Sequence, residues 1–309
     1  MRLLIILLSV MVGWAAPAAA APAPLATGEH QVIINGVRLW YRVAGAGQGT
    51  PVVFLHGGPG QGSQTFARFA GPALERANRM VYLDQRGSGR SEKHWKKEYS
   101  LALMVDDLEQ LRRTLGVERM ALVGHSFGTV LALEYAAKYP RHVSHLVLAG
   151  AVVDFPAAMD VQCARLARID PANYAKTVAA LQPGSPRRCN VFAAPRKIID
   201  DAMYPDPAVM KTVDETDSSD GMFNDGQISG ALFNQGLLEY RFTQSARLTM
   251  PVLVIAGAAD YQAVVDPLRP FVAGLRRGRL VEYPGRGHFM FVEDPERFAR
   301  DVTAFLKER

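Results

Sequence analysis

Apolar residues along this chain recur in two periods. Alternation and short continuous runs mark strands, whereas spacings of three and four mark helices. Two half-buried strands come first, Gln31 to Asn35 and Val37 to Val43, with Asn35-Gly36 between them, a dipeptide that favours a tight hairpin turn. Short apolar runs follow at 51–55 and 79–84, and a helix is expected between them over 64–70. Further on, Leu101, Met104, Val105, Leu108, Leu111 and Leu115 share one helical face. Ser100 is placed to cap the start of that helix, and Gly116 to end it. The pattern then predicts a strand over 120–123, a helix over 127–139 and a strand over 145–149.

After Gly150 the texture changes. From Ala151 to Leu248 the segments read as helical, broken by proline joints at Pro183, Pro186, Pro205 and Pro207. Strand pattern resumes at Val252 to Ile255, followed by a helix over 267–275, a strand over 280–283 and a closing helix over 295–306. Alternating strands and helices predict an α/β architecture, a mostly parallel sheet covered on both faces. The expected organisation is a core of 21–150 and 249–309, interrupted by a helical lid of 151–248. A chain of 309 residues is long enough for one large core of this kind.

Residues 1–20 carry a different signal. Arg2 precedes the apolar run Leu3 to Ala16, and small residues in Ala-x-Ala spacing follow. This describes a secretory signal peptide cleaved after Ala20. The run is shorter than the roughly 20 apolar residues a membrane span needs, so no stable anchor is expected after cleavage. A secreted or periplasmic protein results. In that oxidising setting the pair Cys163 and Cys189 is most simply a disulfide. Composition is that of an ordinary soluble enzyme, 49% apolar and 21% charged. The net charge of +5 is spread without a basic run, so nucleic acid is not implied as a partner.

The candidate chemistry begins at Gly124-His125-Ser126-Phe127-Gly128. A serine fenced by glycines at a strand-to-helix turn is lifted clear of the backbone, and the helix start offers free N–H groups beside it. Such a hydroxyl needs a base, and the base an orienting acid. Asp260 follows the strand at 252–255, and His288 follows the strand at 280–283 in a glycine-rich loop, giving the chain order Ser, Asp, His. The other histidines are less suitable. His30 lies near the new terminus, His94 in a charged loop, and His142 and His145 flank a strand on the helix side. His125 is inside the elbow, and His56 belongs to His56-Gly57-Gly58-Pro59-Gly60. That loop lets backbone N–H groups approach a substrate, and makes Gly58 and Phe127 the candidate oxyanion donors. Gly58–Pro59 is a candidate cis bond.

HGGPG at 56–60, DQRGSGRS at 84–91, GHSFG at 124–128 and GHFMFVEDPERF at 287–298 together resemble the prolyl aminopeptidase branch of the α/β-hydrolase fold. The resemblance implies an eight-stranded, mostly parallel sheet with a helical lid, a Ser126–His288–Asp260 triad, and release of an N-terminal proline or other small residue. It implies neither cofactor nor metal, and a small peptide or ester as substrate. DQRGSGRS reads as a buttress, with Arg86 bonding loop carbonyls. Many relatives carry Gly-Gly-Ser-Trp at the nucleophile where this chain has Gly124-His125-Ser126-Phe127, and the lid does not obviously match. An aminopeptidase holds its substrate's ammonium on carboxylates. The stretch Asp214 to Asp220 and Asp225 offers them, and Glu215 and Glu239 are the candidates. A carboxylesterase of the same fold is the alternative, and a non-catalytic binding module a remoter one.

Overall fold

Eight strands form a single sheet in the computed structural model of the chain, which describes residues 25–93, 98–218 and 226–308. The expected signal peptide and the end of the acidic stretch, residues 219–225, lie outside the described residues. The strands are β1 (Gly28–Ile34), β2 (Val37–Ala44), β3 (Val52–Leu55), β4 (Met80–Asp84), β5 (Met120–His125), β6 (Val143–Ala149), β7 (Val252–Gly257) and β8 (Gly278–Tyr283). Their order across the sheet is β1-β2-β4-β3-β5-β6-β7-β8. The β1–β2 hairpin turns at Asn35-Gly36 and joins the sheet antiparallel to β4, and every later pairing is parallel.

The apolar runs of the inner strands are continuous because both faces of the sheet are covered. Successive side chains point to opposite faces, so each strand feeds two cores. Val53 and Leu55 of β3, Leu146 and Leu148 of β6, and Val254 of β7 pack into one of them. Leu108 and Leu111 of the helix Leu101–Thr114 and Val130 and Leu133 of the helix Phe127–Lys138 close that side. Phe54, Val147 and Ile255 face the other core, closed by Phe66, Phe291, Phe298 and Phe305. Phe54 and Phe66 stack there with ring centroids 3.7 Å apart. The helix Leu101–Thr114 starts as its sequence predicts, with Ser100 Oγ accepting from the Leu103 N–H at 3.2 Å.

Between β6 and β7 the described chain makes only helices, short 3-10 turns and one isolated bridge, Asp154 with Arg241. This insertion has a small core of its own, Met159, Val191 and the Cys163–Cys189 disulfide, which joins residues 26 apart. No helix among the described residues is long and apolar enough to cross a membrane.

The buttress departs from expectation in one respect. Arg86 bonds not loop carbonyls but Asp107, through Nε and Nη2 at 2.7 Å each, with both side chains buried. A guanidinium taken out of water needs a counter-charge, and the planar fork of arginine fits a carboxylate better than scattered carbonyls. Asp84 plays the role nearer the loop. It accepts from the Ser63 N–H and hydroxyl and from Arg90, tying the start of the preceding helix Gln64–Phe69 to the end of β4.

Candidate active site

Ser126 sits between β5 and the helix Phe127–Lys138 at φ +52°, ψ −121°, a region L-residues avoid. Holding a non-glycine residue there costs about 1–3 kcal/mol, which the surroundings must offset. Its N–H donates to Ala149 O at 3.0 Å, and its carbonyl accepts from the Thr129 hydroxyl at 2.6 Å. Gly128 explains the second glycine of the elbow, because a Cβ there would lie 2.1 Å from Leu55 O. The helix can press against β3 only without a side chain at that position.

The three triad candidates and the glycine loop leave the carboxyl ends of parallel strands, where sheets of this kind present their functional loops. Gly58 follows β3, Ser126 follows β5, Asp260 follows β7 and His288 follows β8. Ser126, Phe127, Gly58 and His288 line one cavity. His288 Nδ1 and Asp260 Oδ2 are 2.7 Å apart, both side chains almost fully buried. The second oxygen of Asp260 accepts from the N–H groups of Gln262 at 2.8 Å and Ala263 at 2.9 Å, so the carboxylate is fixed in rotation. That pairing occupies Nδ1 and leaves Nε2 as the nitrogen able to exchange a proton in the cavity. Ser126 and His288 line the same cavity, which is the relation the structure shows between them.

The Gly58–Pro59 peptide is cis, and Gly58 has φ +112°, where a Cβ would also meet Gly60 N at 2.7 Å. Phe127, as the first residue of its helix, has an N–H without a partner inside that helix. Both residues line the cavity, and Gly58 puts no side chain in the way. His56 holds the loop in shape, with Nδ1 2.9 Å from Gly57 O while Nε2 accepts from Gln85 N at 3.0 Å. Burial pushes the His56 pKa down, which keeps the ring neutral and able to accept.

The positioning roles of two residues escaped the sequence reading. His125 Nε2 donates to His288 O at 3.0 Å, and its ring lies 4.8 Å from that of His288. Burial, and then the neighbouring His288, hold its pKa well below the usual histidine range, so it serves as a neutral donor. The signal was its place inside the elbow, within reach of whatever the nucleophile faces. Asp217 is the second. It accepts from Gln61 Nε2 at 2.6 Å and from the Thr65 hydroxyl, clasping the insertion to the glycine loop.

Glu215 and Glu239 do not reach the cavity, which corrects the expectation placed on them. Glu215 is exposed and lies 3.7 Å from Lys211 on the outer face of the helix Pro207–Ser218. Val213 and Thr216 are that helix's buried residues, and Asp217 is four positions from Val213, so the helical period turns Asp217 inward and Glu215 outward. Glu239 is half exposed and paired with Arg187. Among the described residues, the one carboxylate on the cavity wall is Asp154, which caps the helix Phe155–Ile169 and meets Arg241 at 2.9 Å. The remaining wall is largely apolar, with Phe155, Phe192, Phe233 and Leu237 supplied by the insertion.

A strand-elbow serine, a histidine on a buried aspartate and a glycine loop, all at one end of a doubly covered parallel sheet, define the α/β-hydrolase class. A family model described as the alpha/beta hydrolase fold matches residues 50–295, and the chain belongs to that family. Within it the similarity is to proline iminopeptidases. The chain is 36% identical over 182 residues to a probable proline iminopeptidase of Streptomyces coelicolor, covering 57% of this chain and 54% of that one. It is 43% identical over 126 residues to a proline iminopeptidase of Xylella fastidiosa, covering 40% and 39%. The chain thus spans about half the length, or less, of these curated relatives. A crystal structure of a proline iminopeptidase-related protein from Thermus thermophilus matches with a TM-score of 0.72 at 26% identity, covering 90% of this chain and 96% of that one.

Proposed function

We propose that this chain is an exported serine hydrolase that works through an acyl-enzyme. Ser126 Oγ attacks the substrate carbonyl while His288 Nε2 takes its proton. Asp260 holds the imidazolium, and the Gly58 and Phe127 N–H groups receive the oxyanion. His288 returns the proton to the leaving group, and water, deprotonated by the same nitrogen, then releases the acyl group from Ser126. The observation carrying this reading is the convergence of Ser126, His288 on Asp260, and two backbone donors at one cavity. A binding module would have no need of that set. A fluorophosphonate probe tests it: labelling of Ser126 is expected, and labelling elsewhere or nowhere would refute it.

The substrate is, on this reading, a peptide whose N-terminal proline or other small residue is released, supported by similarity to the iminopeptidases. Asp154 then takes the ammonium, the exposed Arg241 giving way. A carboxylesterase is the second reading, favoured by an apolar wall whose carboxylate is already neutralised. Prolyl-naphthylamide, its N-acetyl derivative and butyrate esters separate the two. An ammonium held by charge-assisted hydrogen bonds makes acetylation cost about tenfold or more in kcat/KM. Asp154→Asn, which keeps the helix cap, should then hurt prolyl substrates and spare esters. Equal rates on free and acetylated substrates would decide for the esterase.

A further inference from the structure

A second cavity adjoins the first and has no part in the chemistry described so far. It is a small cleft in the insertion, partly open to solvent. Phe192 and Gln262 line both cavities, so the two share a wall rather than merely a neighbourhood. Leu166, Val191, Ile198 and Ile199 make the far side apolar. The aromatic rims are unusual: Phe192 is 39% and Tyr261 37% exposed, in a protein that buries most of its large apolar side chains.

One charge stands in this apolar setting. Arg165 lines the second cavity, and among the described residues no carboxylate lines it with Arg165. Its guanidinium lies 3.8 Å above the ring of Tyr261, the residue after the candidate catalytic acid. Stacking orients the guanidinium and leaves its edge N–H donors available, which is the geometry that suits a carboxylate. The wall is also built to stay put. Arg165 is two residues beyond Cys163, and the disulfide from Cys163 to Cys189 fixes the short turn Val191–Ala193 that carries Phe192.

We propose that this cavity is a second substrate subsite, taking an apolar group that ends in a carboxylate, with Arg165 pairing the anion and Phe192 and Tyr261 flanking the apolar body. Combined with the peptide reading above, on which this part rests, the occupant is the carboxyl-terminal part of a short peptide with an apolar residue beyond the scissile bond. The N-terminal residue then occupies the cavity at Ser126. Longer chains and peptide amides lack the anion at that depth and are poorer substrates.

Calorimetric titration of the full chain with 4-phenylbutyrate tests the subsite without any assumption about the reaction, with 4-phenylbutanamide as the uncharged control. Binding of the carboxylate about tenfold to a hundredfold tighter than the amide is expected for a charge-assisted pair. Arg165→Gln should abolish that difference, and Ile199→Trp, which fills the cavity from its apolar side, should weaken both ligands. Equal binding of acid and amide, or a preference for the acid that survives Arg165→Gln, would overturn the subsite. Prolyl-leucine against prolyl-leucinamide supplies the second arm. Cleavage of both at equal rates, with Arg165→Gln silent, would likewise overturn the subsite while leaving the peptidase reading standing. A carboxylate site in the titration with neither peptide cleaved would remove the peptidase reading and keep the subsite.

Discussion

Asp217 can be made to report separately on its charge and on its hydrogen bonds. Burial pushes its pKa up, the Thr65 and Gln61 hydrogen bonds oppose this in part, and Asp214 and Asp84 push the same way as burial. A raised value means the folded chain binds this proton more tightly than the unfolded chain does. The stability it contributes is therefore complete below the unfolded carboxylate pKa of about 3.9 and is lost as pH rises through the raised folded value. Asp217→Asn cannot ionise, still offers an oxygen to Thr65, and can meet Gln61 once that amide turns over. Its Tm should match the wild type near pH 3.5 and rise above it as pH increases. Asp217→Ala instead leaves the Thr65 hydroxyl, in a residue only 3% exposed, without an acceptor. That costs about 1–3 kcal/mol at every pH, with less lost at Gln61, which reaches water. Thermal denaturation of the three proteins between pH 3.5 and 8 is the assay. A difference between the Asn variant and the wild type that stays flat with pH, or moves against the variant as pH rises, would refute the reasoning.

The remaining expectations are simpler. Ser126→Ala should abolish turnover and phosphonate labelling while the protein remains folded, as read by near-UV circular dichroism together with activity. Replacing both Cys163 and Cys189 by Ala opens a loop between residues 26 apart, worth roughly 3.5 kcal/mol in the chain-entropy model. Limited proteolysis should then cut first between 163 and 194, with KM rising more than kcat falls. Unchanged proteolysis and kinetics would show that the turn carrying Phe192 does not depend on the bridge. Arg86→Met strands Asp107 in a buried site and should cost about 3–5 kcal/mol in denaturant unfolding. Adding Asp107→Leu should recover a good part of it, since the unpaired charge and not the lost bond is the main penalty.

Much of the core could be read in the sequence because its determinants are local. Asn35-Gly36 permits one turn, Ser100 one helix start, and the apolar runs at β3, β6 and β7 admit burial on both faces. The elbow was legible for the same reason, since Gly128 answers a contact with β3 that any strand-turn-helix of this kind makes. The partner of Arg86 was not legible. Nothing near position 86 indicates that Asp107, a turn and a half into the next helix, is the carboxylate brought to it. The acids of the insertion failed on period rather than on type. An acidic stretch was visible, but which of Asp214, Glu215 and Asp217 points inward depends on how the helix Pro207–Ser218 is rotated against the core, and Val213 and Thr216 set that rotation.

The division between core and insertion also explains why chemistry and substrate can be read to different depths. The candidate catalytic parts hang from the ends of β3, β5, β7 and β8, so their relative placement follows from strand order. The walls that the proposed substrate would meet hang from the insertion: Phe155, Phe192 and Phe233 at the first cavity, and Arg165 and Ile199 at the second. No strand register constrains those side chains. They are held instead by a disulfide, by helix caps such as Asp154, and by the clasp from Asp217 to Gln61 and Thr65. Replacing such supports shifts the walls relative to Ser126 without touching Ser126. Changes in the insertion should therefore alter which carbonyl compounds are cleaved far more than whether Ser126 can be acylated, and Arg165 is where that distinction can be measured.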